Sequence, residues 1–168
     1  VFDKFVLHYG RLKNCKNYTA LIGKKDSFLE EKVGYYGQMI VLKAQEIGLN
    51  TCWVAGTYKK SAVKAKINED EKLLCIIAVG YGETNGNKRR SKTIDEVNIS
   101  VDYPKWYENG IRYALLAPTA MNQQKFKFEY LGNDSVKAYS KKGPMTKIDL
   151  GIVKYHFELG ANKKIDWK

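Results

Sequence analysis

Residues 114–131, ALLAPTAMNQQKFKFEYL, join an apolar helix end to a strand through a proline and a run of amides. Pro118 biases Ala117 away from helical backbone, so the helix is expected to stop near Leu116. Thr119 to Gln124 then form a loop, and Phe126, Phe128 and Tyr130 alternate with Lys127 and Glu129 as in a half-buried strand. The loop holds Thr119, Asn122, Gln123 and Gln124, which together both donate and accept hydrogen bonds. Such a set suits the edge of a planar heterocycle that alternates carbonyl and N–H groups. It equally suits a solvated loop, where Asn, Gln and Thr serve turn formation.

Upstream of the loop, Asp102 to Leu116 reads as a helix with Asp102 near the cap and Pro104 in its first turn. Trp106, Ile111, Ala114 and Leu115 form its inward stripe. Leu73 to Val79, LLCIIAV, is apolar without alternation, as expected of a strand covered on both faces, and is the expected sheet centre. Between these elements lies the polar and basic ETNGNKRRSK, closed off from the strand by Gly80 and Gly82. Lys88, Arg89, Arg90 and Lys92 read either as a phosphate grip or as a solvated charge run.

In the first third of the chain, Phe2 to Tyr9 and Tyr18 to Ile22 read as strands ended by Gly10 and Gly23. Ser27 followed by Glu30 is a capping-box pattern, and Val33, Tyr36, Ile40, Val41, Ala44 and Ile47 recur at helical spacing until Gly48. Gly34 and Gly37 lie inside that helix, each destabilising it by about 0.5–1 kcal/mol relative to Ala. Close packing or close ligand approach would explain them. Thr51 to Ala55 is a short strand, and Lys60 to Ile67 a small basic helix. Downstream, Val136 to Ser140 is placed to pair with the Phe126 strand after an Asn133-Asp134 turn, and a last helix runs from Lys147 to Leu159, stopped at Gly160. His156 in that helix lacks partners at metal-ligand spacing, so no metal site is expected.

A chain of 168 residues and 19.2 kDa is sufficient for one domain that buries roughly 70% of its unfolded surface. Cys15, Cys52 and Cys75 are far apart and odd in number, which argues against a disulfide framework and fits a reducing cytoplasm. No apolar run approaches the roughly 18 residues of a membrane span. The chain opens at Val1 on a strand-like FDKFVLHY, so a processed or omitted amino-terminal piece is expected. Lys plus Arg is 29 against 18 acidic residues, a formal charge of +11 that attracts polyanions at long range. The basic residues are scattered, however, and no helix-turn-helix, RNP-type strand or zinc finger turns charge into nucleic-acid readout. Gly-x-Ser-x-Gly, P-loop, dinucleotide and HExxH motifs are also absent from the sequence.

Four segments together resemble the FMN-dependent nitroreductase superfamily, most closely its TM nitroreductase subgroup. They are GQMIVLKAQEIG (37–48) continuing into LNTCWVAG, IAVGYG followed by KRRSKTIDEV, the loop APTAMNQQ, and IDLGIVKYHFELGA (148–161). The resemblance implies an α+β, three-layer fold in which a mixed, mainly antiparallel central sheet is flanked by helices. It implies non-covalent FMN, reduced by NAD(P)H, and hydride transfer through flavin N5 to a nitroaromatic, quinone or similar flat small molecule. A non-catalytic flavin-binding protein of the same fold is the alternative.

The family signature APSxxNxQPW is matched by Ala117, Pro118, Thr119, Asn122 and Gln124, with Lys125-Phe126 in place of its Pro-Trp. By similarity, Pro118, Thr119, Asn122 and Gln124 lie against the isoalloxazine. Trp53 and Gly56 belong to the loop beside the flavin, with a backbone N–H near Gly56 facing N5. Lys88, Arg89 and Arg90 match the cations on the FMN phosphate. The asparagine loop and the cationic segment are thus expected to converge on opposite ends of one flat, phosphorylated molecule.

The family's amino-terminal Arg-Ser-x-Arg helix has no counterpart in this sequence. In ordinary members the asparagine loop also precedes the glycine helix, whereas here it follows. A single domain over 1–168 built from two pseudo-repeated half-units, about 1–100 and 101–168, is therefore expected. Gly37 and Gly151 would correspond, and an intrachain pseudo-dimer would stand in for the family's homodimer.

Overall fold

The structure, a computed structural model, describes residues 12, 15–84, 86 and 88–168. The strand expected at Phe2 to Tyr9 lies outside the described residues. Contacts divide the chain into two compact units, one of the described residues up to Leu29 with 39–86, the other of 30–38 with 87–168.

The first unit is a three-stranded antiparallel sheet of β1 (Asn17–Lys24), β2 (Asn50–Val54) and β3 (Glu71–Gly80), in the order β1-β3-β2. The apolar run is indeed central. Cys75, Ile76, Ile77 and Ala78 are buried in succession, so both faces of β3 are covered. Val54, Tyr58, Leu73, Ile76 and Ala78 form one side of that core. Gly23 lies within β1 instead of ending it. The helix expected over Lys60 to Ile67 shortens to one 3-10 turn, Lys60–Ala62. The backbone turns extended at Val63, and the Lys64 N–H donates to the Tyr18 hydroxyl at 2.8 Å instead of to a helical carbonyl.

α1 (Leu29–Glu46) contributes residues 30–38 to one unit and Leu29 with 39–46 to the other. Ser27 does not cap it: Phe28 is the N-cap, and Asp26 Oδ1 instead accepts the Phe28 N–H at 2.7 Å. Gly48 ends it in left-handed backbone, φ +79°. The buried face runs through Val33, Gly34, Gly37, Gln38 and Ala44, while Tyr36, Ile40 and Ile47 of the expected stripe are exposed.

The second unit holds α2 (Ile94–Val97), α3 (Lys105–Ala114), β4 (Phe126–Gly132), β5 (Ser135–Ser140), α4 (Thr146–Ala161) and β6 (Asp166–Trp167). β4 pairs with β5 antiparallel and β5 with β6 parallel, so the fold is α+β with mainly antiparallel pairing. A true capping box occurs at α2, where Thr93 and Glu96 satisfy each other's backbone N–H groups. Tyr107, Phe128 and Phe157 are fully buried, and the Phe128 and Phe157 rings stand 4.9 Å apart. α3 packs on α4 where Gly110 admits the Phe157 ring and Gly160 admits Tyr113. Gly160 therefore serves packing inside α4, and Asn162, with φ +52°, ends the helix.

Candidate functional site

α3 ends at Ala114, two residues before the expected stop, and Ala117 N–H still bonds the Ala114 carbonyl at 3.1 Å. After Pro118 the backbone is extended at Thr119, and Ala120–Asn122 makes a single 3-10 turn. Met121, Asn122 and Gln124 all have left-handed backbone, with φ of 53°, 51° and 45°. For non-glycine residues this conformation costs roughly 1–2 kcal/mol each. Side-chain hydrogen bonds must hold it.

They do so from two directions. From within the loop, Thr119 Oγ1 accepts the Gln124 N–H at 3.1 Å. From the chain after Gly86, Arg89 Nη1 donates to Asn122 Oδ1 at 3.1 Å, and Arg89 Nη2 donates to the Leu115 carbonyl at 2.9 Å. Asn122 Nδ2 and Gln124 Nε2 both donate to the Arg90 carbonyl, at 2.8 and 3.0 Å. The Gln124 side-chain oxygen accepts Lys92 N–H at 2.9 Å, and Lys92 Nζ donates to the Gln124 carbonyl at 2.7 Å. Gln124 is 5% exposed.

The two segments that carry the sequence motifs therefore meet directly. They are zipped together side by side, and do not stand apart at two ends of a gap. Arg89, Arg90, Thr119, Asn122 and Gln124 are brought into one network, with Pro118 at its start and Lys88 exposed at its edge. Trp53, half-buried in β2, and Gly56, exposed after it, belong to the other unit.

The network has unused capacity. Asn122 has two amide hydrogens and, among the described residues, uses one, on the Arg90 carbonyl. The side chains of Lys88 and Arg90 make no hydrogen bond or ion pair among the described residues, so both cations are available to an anion. The guanidinium of Arg89, by contrast, directs two of its N–H groups at the loop and the helix end before it.

One supporting residue escapes a reading of the sequence. Asp149 in α4 accepts Ala120 N–H at 2.9 Å and Gln123 Nε2 at 2.7 Å. Burial raises its pKa, and these two hydrogen bonds pull it back down. His156 is buried, with Nε2 at 2.9 Å from Gln38 Nε2, so that nitrogen accepts and Nδ1 carries the proton. Burial drives the His156 pKa down to about 4, and the nearby charge of Arg89 adds to this. The Asp149 signal is present in the sequence only as an acidic residue in a helix first turn, which ordinarily marks dipole compensation. Among the described residues no group of three or more His, Cys, Asp or Glu side chains could hold a metal, and no helix is long and apolar enough to cross a membrane.

A family model described as "Putative TM nitroreductase" matches residues 1–161, and the chain belongs to that family. Among solved structures, the crystal structure of a "putative nitroreductase" from Thermotoga maritima matches with a TM-score of 0.63 at 22% identity. The match covers 86% of this chain and 64% of that one, so the chain spans less than two thirds of the relative's length. The likeness extends to a nitroreductase-like fold. A search of curated proteins gives no match.

Proposed function

We propose that this member of the family is an FMN-dependent NAD(P)H oxidoreductase acting on nitroaromatic, quinone or similar flat acceptors. The observation that carries the reading is the zipped network of Arg89–Lys92 with Thr119–Gln124. It leaves one Asn122 amide hydrogen without a hydrogen bond, and two cations, Lys88 and Arg90, without a hydrogen bond or ion pair, among the described residues. A donor for a ring carbonyl and positive charge for a phosphate, carried on one hydrogen-bonded scaffold, fit a phosphorylated heterocycle.

In this reading Lys88 and Arg90 neutralise the phosphate. Asn122 donates to the pyrimidine edge of the ring, and Pro118 and Thr119 supply the backbone wall beside it. Arg89 and Gln124 hold that wall in its left-handed turn. Trp53 and Gly56 are proposed as further cofactor contacts by family similarity alone. The redox chemistry, hydride uptake at N5 from NAD(P)H and delivery to the acceptor, is what the flavin supplies when bound.

A second reading, flavin binding without turnover, is favoured by one observation: Arg89 and Gln124 are occupied internally. The deciding experiment is purification of the protein with flavin, followed by steady-state NAD(P)H oxidation with and without a nitroaromatic or quinone. Released FMN together with acceptor-dependent oxidation supports the enzyme. Released FMN without oxidation supports the binding protein. Protein that neither retains nor takes up FMN overturns both.

A further inference from the structure

The loop rests on one carboxylate from another element. Asp149, in the first turn of α4, is 5% exposed and bonds both the Ala120 N–H and the Gln123 amide. Those two residues bracket Met121 and Asn122, the left-handed pair. The other amide hydrogen of Gln123 goes to the Pro144 carbonyl at 2.8 Å, in the chain that leads into α4. Its Oε1 is buried without a hydrogen-bond partner among the described residues.

An unmet buried acceptor is destabilising, so the Gln123 side chain is held where its donors are needed and its acceptor is not. A carboxylate withdrawn from water is likewise poorly explained by stability, since an apolar residue of similar volume often serves a core better. Both features make sense together if the group that matters is the turn they enclose.

We infer that Asp149 is a positioning residue that clamps both ends of the Ala120–Gln123 turn and so sets the direction in which Asn122 presents its remaining N–H. The functional meaning of that direction rests on the flavin reading above, whereas the clamp itself does not.

Amide hydrogen exchange on the full chain without flavin tests the clamp, and FMN titration then tests its consequence. In Asp149→Ala, peptides covering 118–125 should exchange about tenfold faster while β4 and β5 keep their protection. Asp149→Asn keeps an acceptor for Ala120 N–H but sets its amide against the Gln123 donor, so its loop should loosen less. FMN dissociation constants should rise in the same order, wild type, Asn, Ala. Loop exchange equal to wild type in both variants overturns the inference, as does loss of protection spread evenly over α3, β4 and β5. If the alanine variant fails to fold, the near-isosteric Asp149→Asn decides alone: an increase confined to the loop supports the clamp and wild-type exchange overturns it. A wild-type protein that binds no FMN overturns the flavin reading, and the exchange result still decides the clamp.

Discussion

Gly34 of α1 and Gly151 of α4 occupy reciprocal places in a helix crossing. A side chain at Gly34 would run into the carbonyl of Ile148, three residues before Gly151. A side chain at Gly151 would run into the carbonyl of Glu31, three residues before Gly34. Each glycine also faces the N–H of the residue that follows the other, Ile152 and Tyr35. The crossing is secured by the ion pair of Lys154 with Glu31 and by Glu158, which accepts from Tyr35, Lys164 and Trp167.

Gly151→Ala and Gly34→Ala should each destabilise the protein by about 1–3 kcal/mol or more, because backbone, not a movable side chain, is what the methyl meets. The gain in helix propensity, about 1 kcal/mol, does not offset this. Gly56→Ala, with open space around it, should stay within about 0.5 kcal/mol. Urea denaturation midpoints check all three, and a Gly151→Ala protein as stable as wild type would dispose of the tight crossing.

Arg90→Glu should weaken FMN binding about 10- to 100-fold, the loss of a charge-assisted contact plus repulsion, and leave riboflavin affinity within about twofold. Fluorescence titration with both flavins makes the comparison. Equal losses for both flavins would mean that Arg90 does not meet the phosphate. Arg89→Gln should instead weaken both, since its guanidinium braces Asn122 and Leu115.

Asn122→Ala removes the acceptor of Arg89 and one of the two donors on the Arg90 carbonyl. The expected result is loss of flavin on purification with the domain still folded, at a stability decrease of about 1–2 kcal/mol. Flavin absorbance per mole of protein and the far-ultraviolet circular dichroism give the two readings. Unchanged flavin content would refute the role of this amide.

His156 titrates near 4 in the fold, below the ordinary value of 6.5. Between those values the unfolded chain binds a proton that the folded chain does not, so stability is complete above about pH 6.5 and declines as pH falls toward 4. One pKa unit corresponds to about 1.4 kcal/mol, so the full decline is of the order of 3 kcal/mol. Denaturation midpoints from pH 7 to pH 4 should show this slope in wild type and a shallower one in His156→Gln. Parallel slopes would show that other groups drive the acid response.

The parts of the fold legible in the sequence are those fixed by local chemistry. The apolar run of β3, the alternation in β4, the turn before β5 and the Pro118 break each depend on residues within a few positions of one another. Ser27 and Glu30 illustrate the limit: their pattern matches that of Thr93 and Glu96, yet only the second pair forms the box. Asp26 takes the Phe28 N–H at the first site, a competition that spacing does not reveal. β6 is two residues long, and its parallel pairing with β5 arises from distant contacts. The sequence sets the loop and the cationic segment at opposite ends of one ligand, whereas Asn122 and Gln124 bond directly to the Arg90 carbonyl, through left-handed turns that no residue type in AMNQQ dictates. Gly37 is the glycine that the faint internal similarity sets against Gly151, whereas in the helix crossing the counterpart is Gly34.

Because residues 30–38 belong with 87–168, the second unit is interrupted in the chain. During synthesis, at roughly 5–20 residues per second, Gly34 emerges many seconds before Gly151 exists to meet it. The amino-terminal half of α1 must wait on the ribosome with its glycine face uncovered, and folding of this unit can finish only after α4 has been made.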